Sequence, residues 1–511
     1  MKIFKQILHK LFLSFLTIFL FVNFTFSQEL GIDTYSKHLT FSPYLNEANM
    51  IYPASWIGCD ASNFPQNFDS TYTFLKWEQA SNKSNDVVVK YRPNTKNRQF
   101  LFVGQWSNYN KFDQEQDLYE RFVFWGKMKT AKSNVQYSRI NSYQDIAVSE
   151  NLINYNRDVM MSVTPATYDL TTHNLAFNHK YGNGHLDIFG SLKVVDINKK
   201  NVDSTLIGNH LYTITKFGNS LSLGKLKFNV SGENIDYWYN GNYEYLWSVK
   251  TGFALEFKQL ETNFFAKYYS NEEIYPQINV KFKSKPLMIN LFYNTKKSPF
   301  ELNKYFTDMN FVNRFIGGNA RLSIENKFFD FKFFGSVHSQ IDSSYSLIYV
   351  NDSLVTEKNS GGLYSKGQLF TSLNFKFIKP FSQLNYSYTS DFNYQFYHPG
   401  IMDLHLGLMS KFRLFDNNLL LNSKVDASYH YHRYFQHVKY NPKLLRYIPI
   451  ESNGEYYSGD WTANILVSAT VSTFTIEFKM RNILDQYIYS ANNLYPNLRF
   501  TQVTVYWSWV K

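Results

Sequence analysis

The chain has 511 residues, a formal net charge of +11 and a mean hydropathy of −0.36, yet 19% of it is aromatic, with 47 Phe and 40 Tyr. A soluble enzyme of this length carries more Ala, Leu and Gly in helices, and a helical membrane protein needs runs of about twenty apolar residues. The sequence beyond residue 27 offers neither, and strands alternating between lipid and water do combine aromatic content with low hydropathy.

Residues 1–27 read as a secretory signal. Lys2, Lys5 and Lys10 form a basic start, residues 11–22 are apolar, and the small residues Thr25 and Ser27 place cleavage before Gln28. Sec-dependent export to the outer membrane of a Gram-negative cell is the expected route. Residues 28–69 fit no strand pattern and are expected in the periplasm or tucked into a lumen. They hold Cys59, the single cysteine, which excludes a disulfide within the chain.

From about residue 70 hydrophobicity alternates with a period of two. Leu226, Phe228 and Val230 oppose Lys225, Lys227 and Asn229; Ile278, Val280 and Phe282 oppose Asn279, Lys281 and Lys283. Leu373, Phe375 and Phe377 oppose Ser372, Asn374 and Lys376. Leu404, Leu406 and Leu408 oppose Asp403, His405 and Gly407, a pattern that continues to Lys411 and Arg413. Near the end, Phe474, Ile476, Phe478 and Met480 alternate with Thr475, Glu477, Lys479 and Arg481. In the last strand Val503, Val505, Trp507 and Trp509 oppose Gln502, Thr504, Tyr506 and Ser508. A face of Thr, Glu, Lys and Arg makes no dry core, and a face of Phe, Ile and Met does not belong in water. Lipid outside and an aqueous lumen satisfy both, and only a closed barrel spans lipid with strands.

Ten short connections, among them 219–220, 329–330 and 379–380, alternate with eleven longer ones, among them 144–168, 233–242 and 341–362. The predicted architecture over residues 70–511 is an all-β, antiparallel, transmembrane outer-membrane β-barrel of about 22 strands, within a range of about 16 to 22.

The inferred lumen face carries Lys225, Lys227, Lys250, Lys281, Lys283, Lys332, Lys376, Lys411, Arg413, Lys424, Lys479 and Arg481, against Glu256, Asp403, Asp426 and Glu477. A cation-lined pore favours anions, so small hydrophilic or anionic solutes are the expected cargo. That lumen also accounts for the basic charge without a nucleic-acid partner. Trp507 and Trp509 read as an aromatic girdle in outer-membrane lipid. Tyr237, Trp238 and Tyr239 fall in the expected loop 233–242, where rings suit headgroup level or contacts to a ligand. His430 and His432 share a face, but no Cys or carboxylate completes a ligand set, so neither a metal nor a cofactor is expected. Ser428, His430 and Asp426 follow one another along one face at about 7 Å steps, too far apart for nucleophilic catalysis. No enzyme is predicted.

The C-terminal part, roughly residues 400–511, resembles the β-barrel porins of Bacteroidota, which are related to the barrels of TonB-dependent receptors. The residues that carry the likeness are DWTANILVS from Asp460, TIEFKMRNILD from Thr475 with its Asn482-Ile483 pair, and Tyr495-Pro496-Asn497-Leu498-Arg499 before an aromatic last strand. The resemblance implies passive diffusion or uptake, with insertion by the barrel assembly machinery. The chain departs from the pattern in ending Trp509-Val510-Lys511, two residues beyond the last aromatic, and in lacking a TonB box near Gln28. The expected function is therefore a diffusion channel. The alternatives are a partner-dependent barrel that exports an anionic polysaccharide or assembles surface proteins, and a plugless nutrient receptor.

Overall fold

The computed structural model describes residues 71–510 apart from 81–84, 94–97, 111–116, 147–165, 200–205, 271–273, 298–311, 342–343, 351–352, 360–361, 390–399, 417, 436–437, 442–445, 450–454, 458–459 and 486–498. The signal at 1–27, the segment 28–69 with Cys59, and residues 495–498 lie outside the described residues, as do the side chains of His430 and His432.

Among the described residues every regular element is a strand. In chain order these are β1 (Tyr72–Ala80), β2 (Asn85–Arg92), β3 (Gln99–Asn110), β4 (Asp117–Lys129), β5 (Ser133–Ile146), β6 (Ala166–Tyr181), β7 (Gly184–Lys199), β8 (Leu206–Leu223) and β9 (Leu226–Tyr239). There follow β10 (Asn242–Glu256), β11 (Leu260–Tyr269), β12 (Ile274–Ser284), β13 (Leu287–Lys297), β14 (Val312–Glu325) and β15 (Phe329–Gln340). A separate hairpin, β16 (Ser344–Val350) with β17 (Ser353–Asn359), precedes β18 (Leu363–Leu373), β19 (Ile378–Thr389), β20 (Gly400–Leu414) and β21 (Leu419–Phe435). A second hairpin, β22 (Val438–Asn441) with β23 (Arg446–Pro449), and the short β24 (Glu455–Tyr457) lead to β25 (Asp460–Val471), β26 (Phe474–Arg481) and β27 (Phe500–Val510).

Without the two hairpins and β24, twenty-two strands run antiparallel, each bonded to its neighbours, and β27 pairs back onto β1 from Tyr72↔Val510 to Ala80↔Gln502. That last ladder closes the barrel and leaves no edge. It also gives Val510 a place: it is the final rung of β27, opposite Tyr72, rather than a tail.

The two faces differ as the alternation requires. On β26 and β27 the convex face exposes Phe474, Ile476, Phe478, Val503, Trp507 and Trp509, while Gln502 and Thr504 on the concave face are 1% and 0% exposed. Side chains crowd on a concave wall and splay on a convex one, so burial here marks the lumen and exposure marks lipid. A one-residue slip would carry Glu477 and Lys479 into the bilayer, where a lysine costs about 2–4 kcal/mol at the midplane, and this fixes the register.

Several predicted boundaries move. β8 continues through Leu223, so 219–220 is strand, and the turn is Gly224-Lys225. The turn expected at 329–330 lies at 326–328, and the one expected at 379–380 lies at 374–377. The expected loop 233–242 is no loop. β9 and β10 meet at the two-residue turn Asn240-Gly241, with φ of 45° and 83°. Positive φ at both positions defines a type I′ turn, which matches the twist of the strands it joins and selects Asn-Gly.

Candidate solute pathway

The connections after β2, β4, β6, β8 and their equivalents gather at one end of the barrel, the short-turn end, and the others, the longest connections and the tight Asn240-Gly241 turn among them, gather at the other. Height within the lumen can be read as distance in residues from the connection at the short-turn end. On that scale the inward cations sort into layers.

The lowest layer, within four residues of a short turn, carries Lys127 and Lys129 on β4, Lys180 on β6, Lys227 on β9, Lys281 and Lys283 on β12, Lys332 on β15, Lys379 on β19, and Lys411 and Arg413 on β20. Some of these are neutralised where they stand. Lys283 Nζ reaches Glu261 Oε2 at 2.7 Å, Lys332 reaches Glu325 Oε1 at 2.6 Å, and Lys379 pairs with Asp330. Among the described residues Lys127, Lys129, Lys180, Lys227, Lys411 and Arg413 make no ion pair. Of the predicted basic lumen, Lys227, Lys411 and Arg413 belong to this collar, whereas Lys127, Lys129 and Lys180 are cations that the sequence reading does not single out.

Higher up, charges interleave. Lys479 lies 2.6 Å from Glu477 and Lys424 lies 2.9 Å from Asp426. At the closing seam Lys76 Nζ sits 2.7 Å from both Glu78 and Asp86, while Ser107 and Gln105 donate to Asp86 at 2.6 and 2.9 Å. Lys216 and Lys267 flank Glu233 at 3.1 and 3.7 Å. Paired groups of this kind hold wall side chains against one another and leave little net field in the lumen.

Near the end with long connections, the inner wall from β7 to β12 is aromatic and buried. The Tyr212 and Tyr237 rings stack at 4.6 Å, and His210 lies 4.5 Å from the Tyr239 ring with its Nδ1 3.0 Å from the Tyr237 hydroxyl. Tyr269 meets Tyr275 edge-on at 5.7 Å. Lysines lie across these rings: Lys193 over Tyr212, Lys267 over Tyr269, and Lys250 over Phe265 at 4.2 Å. Rings with ammonium groups held by cation–π contact are a surface for anionic or hydroxylated solutes.

The predicted site residues thus divide. Lys227, Lys250, Lys281, Lys283, Lys411, Arg413, Lys424, Lys479 and Arg481 stand on inward strand positions, as does Lys332. Lys225 and Lys376 do not: both occupy short turns outside the strand ladder. Tyr237 and Tyr239 point inward from β9 and Trp238 points outward against Tyr243 at 4.9 Å, so the three share no single surface. Trp507 and Trp509 stack at 4.4 Å on the convex face. The inner aromatic wall was missed because the Asn-Gly turn that places Tyr237 and Tyr239 on a strand was read as part of a loop.

No protein-family model matches the sequence, and no curated protein matches it. Solved structures do match in fold. The FrpB iron transporter from Neisseria meningitidis aligns with a TM-score of 0.64 at 10% identity, covering 87% of this chain and 83% of its own. The siderophore receptor PirA from Acinetobacter baumannii gives 0.60 at 9%, covering 88% and 81%. A ferric enterobactin receptor variant from Pseudomonas aeruginosa, in complex with enterobactin, gives 0.62 at 9%, covering 87% and 82%. The chain therefore shares the β-barrel fold of these proteins. At these identities the likeness is one of architecture.

Proposed function

We propose that the protein is an outer-membrane diffusion channel for small hydrophilic solutes, with a preference for anions, akin to the porins of Bacteroidota. The reading takes residues 1–27 as its export signal, the short-turn end as periplasmic, and Trp507 with Trp509 as part of the girdle in lipid. One observation carries it: among the described residues the lower lumen holds a collar of cations without carboxylate partners, while many of the charges above it stand in ion pairs. A solute crossing the barrel meets net positive charge at that collar, and rings of Lys and Arg lower the barrier for anions. Purified protein in planar bilayers should show a reversal potential on the anion side in a KCl gradient; a cation-side reversal potential rules the reading out.

A second reading, a receptor for one nutrient, draws on the aromatic wall of Tyr212, Tyr237, Tyr239 and Lys193. It predicts saturable block of the open channel by a particular anionic or sugar-like solute, lost in Tyr212→Ala.

A further inference from the structure

We propose that the inner wall from β8 to β11 is a binding site for phosphate groups, built on Lys216, Lys250 and Lys267. Elsewhere above the collar Lys424 with Asp426 and Lys479 with Glu477 pair one to one. On this wall three lysines share one carboxylate. Lys216 Nζ lies 3.1 Å and Lys267 Nζ 3.7 Å from Glu233, and Lys250 has no ion-pair partner among the described residues. Three ammonium groups less one carboxylate leave two positive charges on four adjacent strands, a stretch of wall about 14 Å wide. The next inward carboxylate on that side, Asp187, stands across from Gly218 and accepts a hydrogen bond from Asn178 Nδ2 at 2.7 Å.

Register sets these charges against one another. Lys250 and Lys267 are direct cross-strand partners on β10 and β11, and like charges so placed, with Cβ atoms about 5 Å apart, destabilise a sheet. Their ammonium groups turn away from each other. Lys250 lies over the Phe265 ring at 4.2 Å, toward the short-turn end, and Lys267 over the Tyr269 ring at 4.7 Å, toward the other. Phe265 in turn lies over Gly252, where a Cβ would fall 2.6 Å from its Cδ1. On the other side of Lys250 the wall is low, because its partner on β9 is Ser231 and the partner of Ser231 on β8 is Gly218. The lysines thus border a recess that no bulky side chain fills. An anion seated there relieves the repulsion between Lys250 and Lys267 and meets ammonium groups from more than one side.

The donor set selects the anion. A phosphate monoester carries about −1.5 to −2 charge at pH 7 and three strong acceptor oxygens, which matches two net positive charges with donors on several sides. Carboxylates are recognised best by the planar fork of Arg, and β8 to β11 contain no Arg. Lys is a compact point charge on a flexible stem, and it suits the rounder phosphate group. The site rests on a lumen that solute reaches, which the channel and receptor readings share.

The test uses the purified full chain in detergent, with inorganic phosphate, glucose 6-phosphate, glucose and chloride as probes, the salts at matched ionic strength. Acylation of Lys250 and Lys267, read by mass spectrometry, should slow several-fold and saturably with either phosphate probe and not with glucose or chloride. In equilibrium dialysis, Lys250→Gln and Lys267→Gln should each weaken binding of radiolabelled phosphate about tenfold or more. Whichever phosphate probe binds tighter shows whether the ligand is free phosphate or a monoester, and either result supports the site. Equal protection by chloride or by glucose overturns it, and so does an affinity unchanged in both variants. The protection experiment uses the unmodified protein, so a variant that fails to fold leaves the test intact. Neither readout requires conductance. A barrel that binds phosphate but fails to select anions sinks only the channel reading, and an anion channel whose Lys250 is protected no better by phosphate than by chloride sinks only the site.

Discussion

Lys76 shows how a lumen charge acts as structure. Its ammonium lies 2.7 Å from Glu78 and from Asp86, on strands β1 and β2 beside the closing ladder, and Glu78 is in turn approached by Thr504 of β27. Removing one member of a buried ionic set leaves the others uncompensated, which costs more than the set contributes. Lys76→Met should therefore lower the urea stability of the reconstituted barrel by about 3 kcal/mol, and adding Asp86→Asn should restore much of it. An opposite sign is expected at Arg139. It faces outward at the seventh residue above its turn, the level at which other strands expose Leu175, Phe217, Ile278 and Leu408 to lipid. Its Nε donates to Asn141 Oδ1 at 3.3 Å, toward the end with long connections. Off the midplane an outward Arg costs less than the full 2–4 kcal/mol, so Arg139→Leu should stabilise the barrel by about 1–2 kcal/mol in the same urea titration.

At the scale of the element, the hairpin of β9 and β10 rests on Asn240-Gly241 and carries Tyr237 and Tyr239 to the inner wall. Gly241→Ala forces a Cβ into φ of 83°, and the pair should lose about 1 kcal/mol or more of barrel stability with Tyr237 becoming accessible to modification. This hairpin also marks where the sequence was legible and where it was not. β26 and residues 502–509 of β27 read correctly because their outward residues are apolar and their inward ones polar. The upper half of β9 did not, since Asn234 and Asp236 face outward there and break the alternation, with Asp236 accepting from Thr213, Asn234 and Tyr243. Lys225 and Lys376 were misplaced for a related reason. Apolar residues continue past the ladder into the turn, as Phe375 and Phe377 do, so period two alone does not mark where pairing stops. Some inward cations, such as Lys227, Lys283 and Lys411, were singled out in the sequence, and others, such as Lys127, Lys180 and Lys379, were not. Ion pairing was not legible for any of them, because Glu261 with Lys283 or Asp330 with Lys379 depends on register between strands that alternation does not supply.

For the whole molecule, the decisive property is how far the collar's field reaches into the lumen. A barrel roughly 40 Å across leaves its axis about 20 Å from the wall before side chains are counted. The Debye length is about 30 Å at 0.01 M, 10 Å at 0.1 M and 3 Å at 1 M salt. Fields from Lys127, Lys227 and Lys411, on different sides of the ring, therefore overlap at the axis in dilute salt and shrink to thin layers along the wall in concentrated salt. Anion preference should be strong at 0.01 M, intermediate at 0.1 M and nearly absent at 1 M, as measured by reversal potential. The triple variant Lys127→Gln, Lys227→Gln, Lys411→Gln should flatten that dependence, whereas Lys479→Gln should not, since Lys479 already sits 2.6 Å from Glu477 and adds little net field. A selectivity that ignores ionic strength would place the discrimination in short-range contacts instead, and the aromatic wall around Tyr212 and Tyr237 is where the barrel offers them.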